Sequence, residues 1–132
     1  MSIAESVSEL SSAKRLQVGC VAVKNDKIIS FGYNGTPADW NNECEYIDDQ
    51  NQLVTKPEVI HAEMNCLMKL ARSTESSEGA VLFITHAPCM HCSKAIYQAG
   101  IHHVFYKNVY RTCDGVDFLK QTSTIIEQYD GD

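Results

Sequence analysis

Two short fragments of this sequence bring reactive side chains together at regular spacing: His61-Ala62-Glu63 and Pro88-Cys89-Met90-His91-Cys92. Cys89 and Cys92 are three positions apart, so on a helix both sulfurs lie on one face within one turn. Pro88 places them in the first turn, where unpaired N–H groups and the helix dipole favour thiolates. Two thiolates make half of a tetrahedral zinc site, and a neutral imidazole is the usual companion. His61 ranks first for that place, because it opens a predicted helix beside a carboxylate. His86, ahead of the proline, ranks second. His91 lies between the cysteines and would point off their shared face. His102 and His103 read as surface or strand-start residues.

Glu63 stands two positions from His61. On a regular helix that spacing turns the side chains about 200° apart. Both can address one ion only if it sits off the helix end and both reach it from the first turn. Three protein ligands plus water mark a catalytic zinc, and four protein ligands a structural one. With two thiolates the site is roughly neutral, which limits acidification of water by the metal. A nearby base then has a purpose, and Glu63 would take the water proton and deliver it to the substrate. The competing reading of Cys89 and Cys92 is a redox pair, which lacks a thioredoxin-like βαβ context here. The competing reading of Glu63 is an ordinary acid at a helix start. Cys20 and Cys66 read as small buried hydrophobes, and Cys113 as a free thiol near a turn. Cys44 is left open. Tyr33, Phe105 and Tyr106 read as core or strand residues.

The fragments need elements to hold them. Apolar residues at 3, 4, 7, 10, 13 and 16 predict a helix over Ile3–Leu16. Val18–Val23 and Lys27–Tyr33 read as strands joined by an Asn25-Asp26 turn, a hairpin. From Asn34 to Glu58 the pattern breaks into a structureless loop with two prolines and six acids against one base, a length at which loops are often functional. Val59–Arg72 reads as a buried helix, Ala80–Thr85 as a strand, and Cys89–Ala99 as a helix between Pro88 and Gly100. His103–Tyr106 reads as a strand, Gly115–Gln121 as a short helix and Thr124–Gln128 as a last strand. Alternation after the opening hairpin predicts a layered α/β domain with a mixed sheet and right-handed crossovers. At 132 residues, the expectation is one domain over residues 1–132.

Composition narrows the partners. A net charge of −6, with Lys14-Arg15 as the longest basic cluster, argues against a long polyanion, which calls for a basic stripe. A substrate with one phosphate needs only one or two local cations. No apolar run approaches the roughly 20 residues of a membrane span. Met1–Leu10 carries Glu5 and Glu9 in place of a basic start and an apolar stretch, so it reads as no secretory leader. Six cysteines without such a leader point to a reducing, cytoplasmic setting.

With Pro88 ahead of the cysteines and H-x-E upstream, the pattern matches the H-x-E … P-C-x-x-C signature of zinc deaminases. From Val18 to Tyr110 the chain resembles the cytidine and deoxycytidylate deaminase superfamily, and within it the deoxycytidylate branch. Gln17-Val18-Gly19-Cys20-Val21-Ala22-Val23 is similar to the family's first strand. Gly32-Tyr33-Asn34-Gly35-Thr36-Pro37 is similar to its G-Y-N-G-x-P segment, which is more specific than either short fragment. His61-Ala62-Glu63-Met64-Asn65, Gln98-Ala99-Gly100-Ile101 and the Tyr106–Tyr110 stretch also fit.

The resemblance implies a cytidine-deaminase-like three-layer fold, with a five-stranded mixed sheet and helices on both faces. It implies one catalytic Zn2+ per chain on His61, Cys89 and Cys92, with Glu63 shuttling protons. Asn34 would hydrogen-bond the sugar, the Ala62 N–H the base O2, and the Ala87 carbonyl the exocyclic amine. Tyr110 would help close the pocket. Lys14 or Arg15 is the candidate phosphate contact, with solvated surface charge as the equal alternative. The implied reaction is hydrolytic deamination of dCMP to dUMP and ammonia, supplying dUMP for thymidylate synthesis. Other small rings (cytidine, deoxycytidine, dCTP, cytosine, guanine, a riboflavin precursor), a tRNA or single-strand base, and a non-catalytic zinc module are the rivals. Family members are often hexamers activated by dCTP and inhibited by dTTP, so a homo-oligomer and nucleotide effectors with Mg2+ are further implications. Two departures bear on these. Between the G-Y-N-G segment and H-x-E the chain offers Cys44 and no histidine, so a second, structural zinc is not expected. The short 34–58 insert also puts the dCTP/dTTP regulation in question.

Overall fold

The computed structural model describes residues 1–131. Strands β1 (Gly19–Lys24) and β2 (Lys27–Tyr33) form an antiparallel hairpin. Its turn residues, Asn25 and Asp26, have φ of 51° and 62°, the left-handed pair that a two-residue hairpin demands. β5 (Val81–His86) pairs antiparallel with β1, and β6 (His103–Asn108) and β7 (Ile125–Gln128) add in parallel. The five-stranded sheet runs β2-β1-β5-β6-β7 and is mixed.

Strand alternation sorts the two faces. Cys20, Ala22, Leu82, Ile84, Val104, Tyr106 and Ile126 pack against α2 (Ala62–Ala71), α3 (Met90–Gln98) and α4 (Asp114–Lys120). Val21 on the other face meets Ala4 and Val7 of α1 (Ser2–Ser8), with Val23 and Phe83 alongside. Helices therefore cover both faces, giving a three-layer fold. Among the described residues no helix is long and apolar enough to cross a membrane.

Two expectations need correction. The first helix ends at Ser8, not Leu16. Residues beyond it bond elsewhere: the Ser11 hydroxyl donates to the Asn34 carbonyl (2.7 Å) and the Ser12 hydroxyl to the Asn42 carbonyl (2.7 Å). The apolar period continued through Leu10, but Leu10 is exposed; tertiary bonds overrode it. The 34–58 stretch is not structureless either. It contains the antiparallel pair β3 (Glu45–Ile47) and β4 (Leu53–Thr55), a two-stranded sheet of its own. Its strands are three residues each, too short for a period to register.

Candidate active site

α2 is seated on the edge strand β2. A side chain at Gly32 would put its Cβ 2.5 Å from both the Ala62 carbonyl and the Cys66 nitrogen, so only glycine allows this approach. Asn65 Nδ2 donates to the Tyr33 carbonyl (2.8 Å) and Lys69 Nζ to the Phe31 carbonyl (2.9 Å). The Ser30 hydroxyl donates in the opposite direction, to the Cys66 carbonyl (2.8 Å). Just ahead of the helix, Gly35 and Ile60 exchange N–H···O bonds of 3.1 and 2.8 Å. That bridge holds the approach to α2 extended.

His61 consequently caps α2 with extended backbone (φ −68°, ψ 154°) and Glu63 is the second helical residue. The helix starts at Ala62 rather than Val59, and this resolves the 200° difficulty: His61 is not on the helix whose turn would separate it from Glu63. Cys89 repeats the device. It caps α3 with extended backbone (φ −76°, ψ 173°), so of the two cysteines expected in the first turn, Cys89 stands just ahead of it. Cys92 lies in that turn and is buried. α4 locks the start of α3: a Cβ on Gly115 would collide with the Pro88 carbonyl and stand 2.6 Å from Ser93 Oγ.

The two caps face each other. His61 Nδ1 lies 3.5 Å from Cys89 Sγ and 3.4 Å from Cys92 Sγ, and the three atoms fall within 4.8 Å of one another. Tetrahedral zinc, with Zn–N near 2.05 Å and Zn–S near 2.3 Å, sets N···S at about 3.6 Å. The donor set and spacing fit the ion. Neither Glu63 nor His86 belongs to the trio. All six cysteines are free, so Cys89 and Cys92 form no disulfide.

The electrostatics of the bare trio follow from crowding. The bond from Cys92 brings the Cys89 thiol down to about 3, while the Cys89 thiolate and burial push Cys92 well above its ordinary value. The Cys89 thiolate raises His61 against the opposing effect of burial. Burial pushes Glu63, 4% exposed, up from 4.5 to about 7. A carboxyl poised near neutrality suits a group that must both accept and return a proton.

His61, Ala62, Glu63, Ala87 and Cys89 open onto a cleft of about 560 Å³, whose other walls include Arg15, Val18, Asn34, His86, Asn108, Tyr110 and Arg111. This volume lies within the range of small-molecule sites. Asn34 spends much of its amide on the chain: Oδ1 accepts the Val18 N–H (2.8 Å) and Nδ2 donates to the Leu16 carbonyl (2.8 Å). The Ala87 N–H donates to the Asn108 carbonyl (2.8 Å), which holds the segment before Pro88. Buried Thr85 accepts the Gly19 N–H at Oγ1 (3.1 Å) and sits 3.0 Å from His86 Nδ1; burial lowers the His86 imidazole from its ordinary value.

Of the cations named from sequence, Arg15 lines the cleft and Lys14 is not among the lining residues. Arg111 was missed. It follows the Tyr106–Tyr110 stretch directly, and its guanidinium lies 5.6 Å from the Tyr110 ring centre. Its sequence signal was only a cation after an aromatic. Among the described residues neither guanidinium forms an ion pair with a carboxylate within 4.0 Å.

A mixed α/β sheet with a His/Cys/Cys trio between two helix starts and a buried glutamate beside it defines a zinc-dependent deaminase. Residues 1–108 match the model of the cytidine and deoxycytidylate deaminase zinc-binding region. The chain belongs to that family. A deoxycytidylate deaminase of Enterobacteria phage T4 is 33% identical over 83% of this chain and 76% of its own length. ComE operon protein 2 of Bacillus subtilis is 34% identical over 92% of this chain, which spans 65% of that relative. The crystal structure of dCMP deaminase from cyanophage S-TIM5, in complex with dCMP and dUMP, superposes with a TM-score of 0.91 at 45% identity, over 97% of this chain and 92% of that one.

Proposed function

We propose that this chain, as one domain over residues 1–132, hydrolyses dCMP to dUMP and ammonia, and so supplies dUMP for thymidylate synthesis. One observation carries the choice of a nucleotide: two guanidinium groups, of Arg15 and Arg111, stand in the cleft of the catalytic trio without an ion-pair partner among the described residues, in a chain of net charge −6. Local cations in an acidic molecule suit one phosphate and not a polymer. Similarity to an enzyme crystallised with dCMP and dUMP supports the same reading.

His61 Nδ1, Cys89 Sγ and Cys92 Sγ would hold one zinc, which when bound makes water a competent nucleophile near neutral pH. Glu63 takes a proton from the attacking water and passes it to ring nitrogen N3. As the C4–N bond breaks, Glu63 carries the second proton to the amine, which leaves as ammonia. The Ala62 N–H donates to the base O2 and the Ala87 carbonyl accepts from the exocyclic amine. Asn34 meets the sugar with its remaining hydrogen-bonding capacity. Arg15 and Arg111 take the phosphate, and Tyr110 closes over it. The family's hexameric assembly, and dCTP and dTTP as effectors with Mg2+, belong to the same proposal, as does a cytoplasmic setting.

The test is a parallel assay of dCMP, deoxycytidine, cytosine and an oligonucleotide. The expected result is kcat/KM for dCMP at least about tenfold above deoxycytidine, equivalent to roughly 1.4 kcal/mol of phosphate recognition. Arg111→Gln is expected to raise KM for dCMP and leave deoxycytidine nearly unchanged. Equal efficiency on the two substrates would make the chain a nucleoside deaminase.

A further inference from the structure

The small β3–β4 sheet lies against the arginine wall of the cleft, and the family reaction gives it no task. Glu45 and Thr55 are directly opposed partners at the base of this sheet, and both line the cleft. Glu45 Oε2 accepts two backbone N–H groups, from Lys14 (2.8 Å) and Arg15 (3.0 Å). Arg15 Nη1 donates to Thr55 Oγ1 (3.3 Å). One residue pair thus grips Arg15 by main chain and by side chain. The Glu45 carboxylate forms no ion pair with either cleft arginine, and among the described residues its Oε1 has no hydrogen-bond partner. Its negative charge therefore remains in the cleft.

We infer that Glu45 is a specificity-determining residue, which positions Arg15 for a single phosphate and repels any further phosphate attached to it. The inference rests on reading the cleft as a dCMP site. A monophosphate is matched by two guanidinium groups. A diphosphate adds charge beyond that match, in a cleft that already contains a fixed carboxylate. Like charges a few ångströms apart near a protein surface repel by enough to shift an equilibrium about tenfold. Selectivity then comes from a repulsive element beside the attractive one.

Two variants separate the roles. Both N–H groups converge on one oxygen, so Glu45→Gln can keep them on its amide oxygen while losing the charge. Glu45→Ala loses both. With zinc-loaded protein, kcat/KM is measured for dCMP and dCDP. Glu45→Gln is expected to raise the dCDP-to-dCMP ratio about tenfold. Glu45→Ala is expected to raise KM for dCMP several-fold over Glu45→Gln, with kcat changed less than KM. A ratio that stays the same or falls in Glu45→Gln would overturn the repulsive role. Equal KM for dCMP in the two variants would overturn the positioning role. Failure of the wild-type protein to deaminate dCMP would instead remove the proposed function and this inference with it.

Discussion

Glu63 is a buried acid that forms no ion pair within 4.0 Å among the described residues, and that placement has two consequences. Glu63→Gln keeps the shape and removes the base. Zinc is expected to stay bound while turnover falls by on the order of 10²–10⁴, read by metal analysis and steady-state kinetics on one preparation. Near-normal turnover would mean that another group moves the protons. The second consequence concerns stability. A carboxyl raised from 4.5 unfolded to about 7 folded contributes stability below pH 4.5 and loses it as pH rises through 7. In chelator-treated protein at pH 8, Glu63→Gln is therefore expected to stabilise the fold by roughly 1–3 kcal/mol. At pH 5 the gain should shrink, and urea melts at the two pH values measure it. Ser93 behaves similarly for a different reason. Its hydroxyl is fully buried and has no hydrogen-bond partner among the described residues. Ser93→Ala is expected to leave stability unchanged or raise it by about 1 kcal/mol; a loss above that size would mean the hydroxyl has a partner in solution.

The seating of α2 on β2 decides whether the trio forms at all. Gly32→Ala forces a Cβ into the backbone of Ala62 and Cys66, and neither can give way without moving the helix. The expected cost is about 1–3 kcal/mol, and zinc affinity should fall with it, because His61 caps the displaced helix. Thermal melts with and without added zinc test both parts. An unchanged melting temperature would show that α2 tolerates displacement. The same contact explains why the G-Y-N-G segment carries a resemblance. Its first glycine admits α2, its asparagine ties down the 16–18 backbone, and its second glycine bridges to Ile60.

The molecule leaves many large apolar side chains in water, among them Ile3 (52% exposed), Leu10 (60%), Trp40 (56%), Ile47 (58%) and Val109 (70%). Scattered exposure needs no explanation by itself, and the expectation of self-association rests on the family resemblance. Light scattering at working concentration is expected to give a mass above 14.7 kDa, and a clean monomer would refute the assembly. Zinc held by His61 and Cys89 would tie the two halves of the site together across 28 positions of sequence. Chelation is expected to abolish turnover and lower the melting temperature, with both restored by added zinc; full activity after verified metal loss would exclude the zinc mechanism.

Some of this was legible in the sequence because it depends on neighbours along the chain. The H-x-E and P-C-x-x-C spacings, the Asn25-Asp26 turn and the strands either side of it are local patterns, and local patterns survive folding when burial agrees with them. Cys20 and Cys66 are likewise buried as read, at 0% exposure. What failed depends on distant partners. Leu16 continues a helical period, yet its segment turns to meet Asn34, Asn42 and Glu45, all reached through tertiary bonds. The Val59–Arg72 pattern predicts His61 on the helix, whereas the Gly35–Ile60 bridge holds it extended and so aims it across to Cys89 and Cys92. Arg111 shares a cleft with Arg15 although 96 positions separate them (111 − 15). Spacing along a chain fixes which side chains a single element can present together; which elements then meet depends on the packing of their faces, and only the tertiary structure settles that.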